Sequence, residues 1–361
     1  MTILLILFFA NSIFAITPPS PRDFTPVVAE KASETFHKAL DEFSLGKFKE
    51  SATHFMQVHT NKKTPTDEKY MSLYNSALSY ERNKQYKEAI SSYKRILENK
   101  DVQFLYRDTY YRISACCMET KNWSCIVSQL DKWKSIKALT LSEEFEFRIR
   151  TGAAYTKMGA YKDSADYLET ALKVLKNSKK FLIEDAQTLL FDEEKIRVLG
   201  LWGFEELATT YKELGNRIIM DVRDEGEEKA HPALINILQQ KVELKSYYYV
   251  KSEDTYIDMI NYGDTDSATK GVYNIGLLYE DVYENFKKGP IPKNIKDKKL
   301  EKEYSEELLK TLEPLLAKAY IAYKRNIELG KEYKLNNQWI EKSTIRFASL
   351  KYIEQVVQAV H

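Results

Sequence analysis

Tyr74–Ile96 reads YNSALSYERNKQYKEAISSYKRI, and this stretch decides the fold. Ala77 stands twelve positions before Ala89, and Tyr86, Lys87, Glu88 and Ala89 open its second half. The same arrangement recurs at Phe48–Ser51, Trp123–Ile126 and Tyr161–Ser164: an aromatic residue, then Glu, Cys or Asp two places on, then a small or apolar residue. The twelve-residue spacing recurs with it, as Ala39/Ser51, Ser114/Ile126 and Gly152/Ser164. Two antiparallel helices approach closely only where both carry small side chains, so each pair marks a helix crossing. The aromatic after each turn fills the wedge between one hairpin and the next. Apolar residues at three- and four-residue intervals complete a buried stripe. A lone hairpin cannot bury that stripe, so the copies must stack.

Four repeats follow over residues 30–176. Phe36, Ala39 and Phe43 precede the helix breaker Gly46, and Phe48, Ser51, Phe55 and Val58 lie beyond it. Tyr74, Ala77 and Tyr80 pair with Tyr86, Ala89, Tyr93 and Ile96. Tyr111, Ser114 and Cys117 pair with Trp123, Ile126, Leu130 and Trp133, where the bulk of Ile126 and Trp133 predicts a splayed or repacked hairpin. Ile149, Gly152 and Tyr155 pair with Tyr161, Ser164, Leu168 and Ala171. Over residues 177–361 the pattern loosens into a helical region with degenerate hairpins. Phe204–Gly215 matches a first helix, Asp221–Pro232 reads as a charged loop, and Ala233–Tyr262 reads as one long helix. Asp264, Asp266 and Ser267 are candidate caps for the next helix, which carries Tyr273, Gly276 and Tyr279. Ala319, Tyr323 and Ile327 lie on its partner, after a Lys- and Pro-rich insertion at about 286–311.

These segments resemble tetratricopeptide repeats, whose period is 34 residues. The aromatics Phe48, Tyr86, Trp123 and Tyr161 are spaced 38, 37 and 38 apart, which predicts longer turns such as Thr64–Asp67. The resemblance implies an all-α, TPR-type α-solenoid of stacked helical hairpins. It also implies that first helices line a concave protein-binding groove. The corresponding residues are Phe36, His37, Leu40 and Phe43; Tyr74, Asn75, Leu78 and Arg82; Tyr111, Arg112 and Met118; and Ile149, Arg150 and Lys157. Apolar rungs with basic edges suit an extended or helical partner segment carrying acidic residues. Phe36 and Leu40 stand where a carboxylate clamp needs Lys and Asn, so that clamp is not expected. A competing expectation is that residues 177–361 fold back and cover the groove. The last 130 or so residues (NIGLLYEDVYENF, GPIPKN, EPLLAKAYIAYKRNIELGKEY) resemble periplasmic tetratricopeptide proteins of gliding and predatory bacteria, some of which serve motility machinery.

The chain has 361 residues, 43% of them hydrophobic and 30% charged, with net charge +1. That balance gives no push toward nucleic acid. Leu4–Phe14 is almost unbroken apolar sequence ending at Ala15, which predicts a signal peptide over residues 1–15 and a periplasmic chain. The run is shorter than the roughly 20 residues that span a bilayer. Its start lacks Lys and Arg, and no lipidation Cys follows. Residues 16–29, with Pro18, Pro19, Pro21 and Pro26, read as a disordered spacer. In an oxidising compartment Cys116 or Cys117 can bridge Cys125, leaving one thiol over; three half-buried small hydrophobes are the alternative.

Signatures of catalysis are missing: GxSxG, HExxH, GxxxxGK[ST], and GxGxxG after a strand. His37 and His54 can meet across the first hairpin, but no third metal ligand is evident. Asp264 and Asp266 fit capping better than calcium, and no cofactor is expected. Lys287, Lys288, Lys293, Lys296, Lys298 and Lys299 alternate with acids, as a solvated insertion does. The expectation is a non-enzymatic exported scaffold or adaptor. A glycan-acting enzyme of the cell wall and a periplasmic holdase chaperone are the alternatives.

Overall fold

The computed structural model describes residues 25–188, 193–220, 231–289 and 297–354. The proposed signal peptide and residues 16–24 lie outside them. Among the described residues there are thirteen α-helices, two short 3-10 helices and no strand. Each helix packs on its neighbour in sequence within two compact units, Ser20–Ile218 and Ile219–His361 (the latter grouped with residues 1–19). The protein is an all-α solenoid.

The first unit holds α1 (Glu34–Ser44), α2 (Phe48–Thr60), α3 (Thr66–Arg82), α4 (Tyr86–Leu97), α5 (Tyr106–Glu119), α6 (Trp123–Ile136), α7 (Leu141–Met158), α8 (Tyr161–Thr188) and α9 (Glu193–Asn216). Local chemistry sets the ends. The Ser33 hydroxyl accepts from the Phe36 N–H before α1. Thr140 and Glu143 close a capping box before α7. Gly46 and Gly159 take φ of 73° and 75° in the turns after α1 and α7, a region open to glycine without a Cβ clash. The helix that begins at Tyr161 runs on past residue 176 and bends at Ser178, whose φ and ψ are −136° and 28°.

One aromatic pair recurs inside each of the first four hairpins. Phe36 meets Phe55 at 5.3 Å, Tyr74 meets Tyr93 at 5.7 Å, Tyr111 meets Trp133 at 5.4 Å and Phe147 meets Tyr167 at 6.0 Å between ring centres. Edge-on and tilted contacts at these distances add to area burial. In the third hairpin Leu130 stands where Phe55 and Tyr93 do, and the ring that meets Tyr111 comes from Trp133, at the position of Val58 and Ile96.

Small residues mark the crossings. The Ser51 hydroxyl donates to the Ala39 carbonyl at 2.9 Å and lies 3.1 Å from the Ser79 hydroxyl, joining the first hairpin to α3. Gly152 faces Leu168 rather than Ser164: a Cβ there would stand 2.6 Å from Leu168 Cγ. Ser164 instead joins Thr156 and Thr210 in a buried hydroxyl triangle of 2.7–2.9 Å that ties α7, α8 and α9.

The second unit holds α10 (His231–Tyr262), α11 (Thr265–Lys287), α12 (Lys298–Glu332) and α13 (Gln338–Ser349). Asp264 caps α11 by accepting from the Ser267 N–H at 2.9 Å. Gly276 lets Tyr323 lie flat against α11; a Cβ would come within 2.4 Å of its ring. The expected insertion is largely helix: Lys298–Thr311 is the first part of α12, which continues through Pro314. Residues 290–296 lie outside the described residues, as do residues 221–230 of the expected charged loop, whose last two residues open α10.

Candidate functional site

Eleven of the fourteen expected groove residues divide into three groups. Phe36, Tyr74, Leu78, Tyr111, Met118 and Ile149 are buried in helix packing. Leu40 and Phe43 are half-buried, with Phe43 edge-on to Phe48 at 5.2 Å. His37, Arg82 and Lys157 are exposed, and Lys157 reaches back to Glu206 at 2.8 Å.

Arg112 and Arg150 do not form the expected basic edge. Each side chain is only 2–3% exposed and ion-paired within the chain. Arg112 Nε donates to Glu81 Oε2 at 2.8 Å, and its Nη2 pairs with Glu81 Oε1. Arg150 donates to Glu146 at 2.8 Å and contacts Met118 Sδ at 3.4 Å. The reason is electrostatic: a guanidinium placed between stacked hairpins needs a carboxylate beside it, and Glu81 and Glu146 supply one. Tyr111 Oη also donates to Glu146, at 2.6 Å. Burial pushes the Glu81 carboxyl up, against the pull of Arg112.

Asn75 is buried, and its occupant comes from the N-terminal side of the chain. Its Oδ1 accepts from the Val27 N–H at 2.8 Å, and its Nδ2 donates to the Val27 carbonyl at 2.7 Å. Ala29 is buried beside Phe36, Ala39, Phe55 and Val58. Six residues after Val27, the Ser33 N–H donates to Glu68 Oε1 at 2.8 Å. Residues 25–29 are therefore an ordered strap along α3, where the sequence predicts a spacer. Neither Pro26 nor Val27 hints at this, and Asn75 is one of several buried polar residues on α3, with Ser72, Ser76 and Ser79.

Cys117 and Cys125 form the disulfide, with Cα atoms 6.0 Å apart across the α5–α6 turn. Cys116 is a buried thiol, and burial pushes its pKa up. His37 and His54 do not meet. His54 Nδ1 pairs with Glu42 at 2.6 Å, and His37 lies edge-on to Phe36. The sequence reading missed His59. Its Nδ1 donates to the Lys69 carbonyl at 2.9 Å, and its Nε2 accepts from Arg95 at 2.7 Å. It lines an open cavity of about 270 Å³ with Tyr70, Leu73, Arg95, Glu98 and Asn99.

Among the described residues, no three His, Cys, Asp or Glu side chains gather as metal ligands do. No described helix is long and apolar enough to cross a membrane. No protein-family model matches the chain, and no curated protein matches it.

Proposed function

We propose that this chain is an exported tetratricopeptide-type scaffold or adaptor, working in the periplasm by holding an extended segment of another protein. Export rests on the apolar run Leu4–Phe14, and the repeat assignment on the recurring small and aromatic registers. One observation carries the binding mode. The Asn75 amide grips both the N–H and the C=O of one residue, Val27, on the face of α3 where the repeat resemblance locates ligand contacts. An amide that donates and accepts at once reads backbone without demanding a side chain. Arg112 and Arg150 are engaged inside the stack, so the reading no longer asks for an acidic partner.

The glycan-cleaving alternative needs an accessible acid with a raised pKa. Glu206 has a carboxyl pushed up by burial, but its Oε1 accepts from Trp202 Nε1 at 3.1 Å and pairs with the exposed Lys157 at 2.8 Å. It serves the fold. The test is fractionation of the native host, followed by affinity capture on the chain from Ile16 onward. A processed periplasmic chain that retains one stoichiometric protein supports the reading. A cytoplasmic chain, or capture no different from a column without it, overturns it.

A further inference from the structure

Residues 25–29 make no secondary-structure pairing of their own. Among the described residues, two hydrogen bonds to Asn75 and one small buried side chain, Ala29, anchor this stretch. Val28 between them is 60% exposed, and Val27 is half-buried. The strap therefore rests on backbone recognition, which any extended segment can copy, and on one small apolar side chain set among Phe36, Ala39, Phe55 and Val58. Pro26 within it restricts the chain toward extended conformations, which lowers the ordering cost.

We propose that residues 25–29 are a resident, displaceable ligand: Asn75 holds Val27 in the place of an extended apolar segment of a partner protein, and the partner binds by displacing the strap. The inference rests on the scaffold reading and adds its control. A free chain keeps its site covered, and engagement releases the N-terminal stretch.

The probe is a fluorescent peptide of residues 22–30, RDFTPVVAE, titrated into the chain from Ile16 onward and followed by anisotropy. Val27→Pro removes the strap's donor while leaving the helices untouched. It is expected to raise peptide affinity at least tenfold over wild type. Adding Asn75→Asp, which keeps Oδ1 and removes the Nδ2 donor, is expected to abolish that gain. Should Asn75→Asp unfold the chain, hydrogen exchange on the wild-type protein replaces it: saturating peptide is expected to speed exchange over residues 25–29. Equal peptide affinity in wild type and Val27→Pro, or unchanged exchange, overturns the inference. A partner captured by the wild-type chain with the strap still protected sinks the strap and leaves the scaffold reading standing. Strap exchange with no partner captured does the reverse.

Discussion

Arg112 and Glu81 stand thirty-one residues apart and close a buried ion pair between α5 and α3, the first helices of consecutive hairpins. The side chains are 3% and 10% exposed, and Tyr93 Oη donates to the same carboxylate at 3.2 Å. Removing one partner strands the other charge in a dry seam. Arg112→Ala is expected to cost about 3–5 kcal/mol. Replacing both with apolar residues, Arg112→Met with Glu81→Leu, is expected to recover most of that. Urea unfolding of the two variants checks the difference; equal losses would mean the pair does not couple the hairpins.

His59 makes stability depend on pH. Arg95 donates to Nε2, so the neutral ring carries its proton on Nδ1 and gives it to the Lys69 carbonyl. Burial lowers the His59 pKa from 6.5, and the Arg95 charge pulls the same way. With the folded pKa below the unfolded one, the unfolded chain takes up the proton first as pH falls. Stability from this site is complete above about 6.5 and declines below it, until the folded ring also protonates. The denaturation midpoint is expected to drop between pH 7.5 and 5.5, and to drop less in His59→Gln. Parallel curves for the two proteins would remove His59 from the account.

The Cys117–Cys125 bridge closes a short loop across the α5–α6 turn, with a sequence separation of 8. On loop-closure entropy alone it stabilises by about 2.5 kcal/mol. Cys117→Ser with Cys125→Ser is expected to lower stability by roughly that amount. Thiol titration of the denatured, unreduced chain checks the pairing directly. Of three cysteines, Cys116 alone is expected to react until reductant is added.

Particular residues show where the sequence was legible. Gly46 and the Ala39/Ser51 spacing locate the first hairpin, because a glycine turn and a small-residue crossing are local chemistry. Asp264 is readable as a cap for the same reason. Lys298–Thr311 reads as part of an insertion because Gly289, Pro290, Pro292 and many lysines mark the segment, and its helical state, as the start of α12, is not legible from that composition. Arg112 and Arg150 read as solvent-facing because their carboxylate partners come from positions with no apolar pattern. Glu146 shares a helix with Arg150, but Glu81 belongs to the previous hairpin, and no local period reveals that contact. The strap escapes for a like reason: its two hydrogen bonds span forty-eight residues and involve backbone atoms that every residue carries.

Photo-crosslinking in the intact host tests the scaffold reading most directly. A photoreactive amino acid is placed at His37 and at Arg82, both exposed on first helices, and at Lys180, whose side chain is 84% exposed on α8. His37 and Arg82 are expected to yield the same protein adduct, and Lys180 none. No adduct at either first-helix position, or the same adduct at all three, would contradict a partner held along this face.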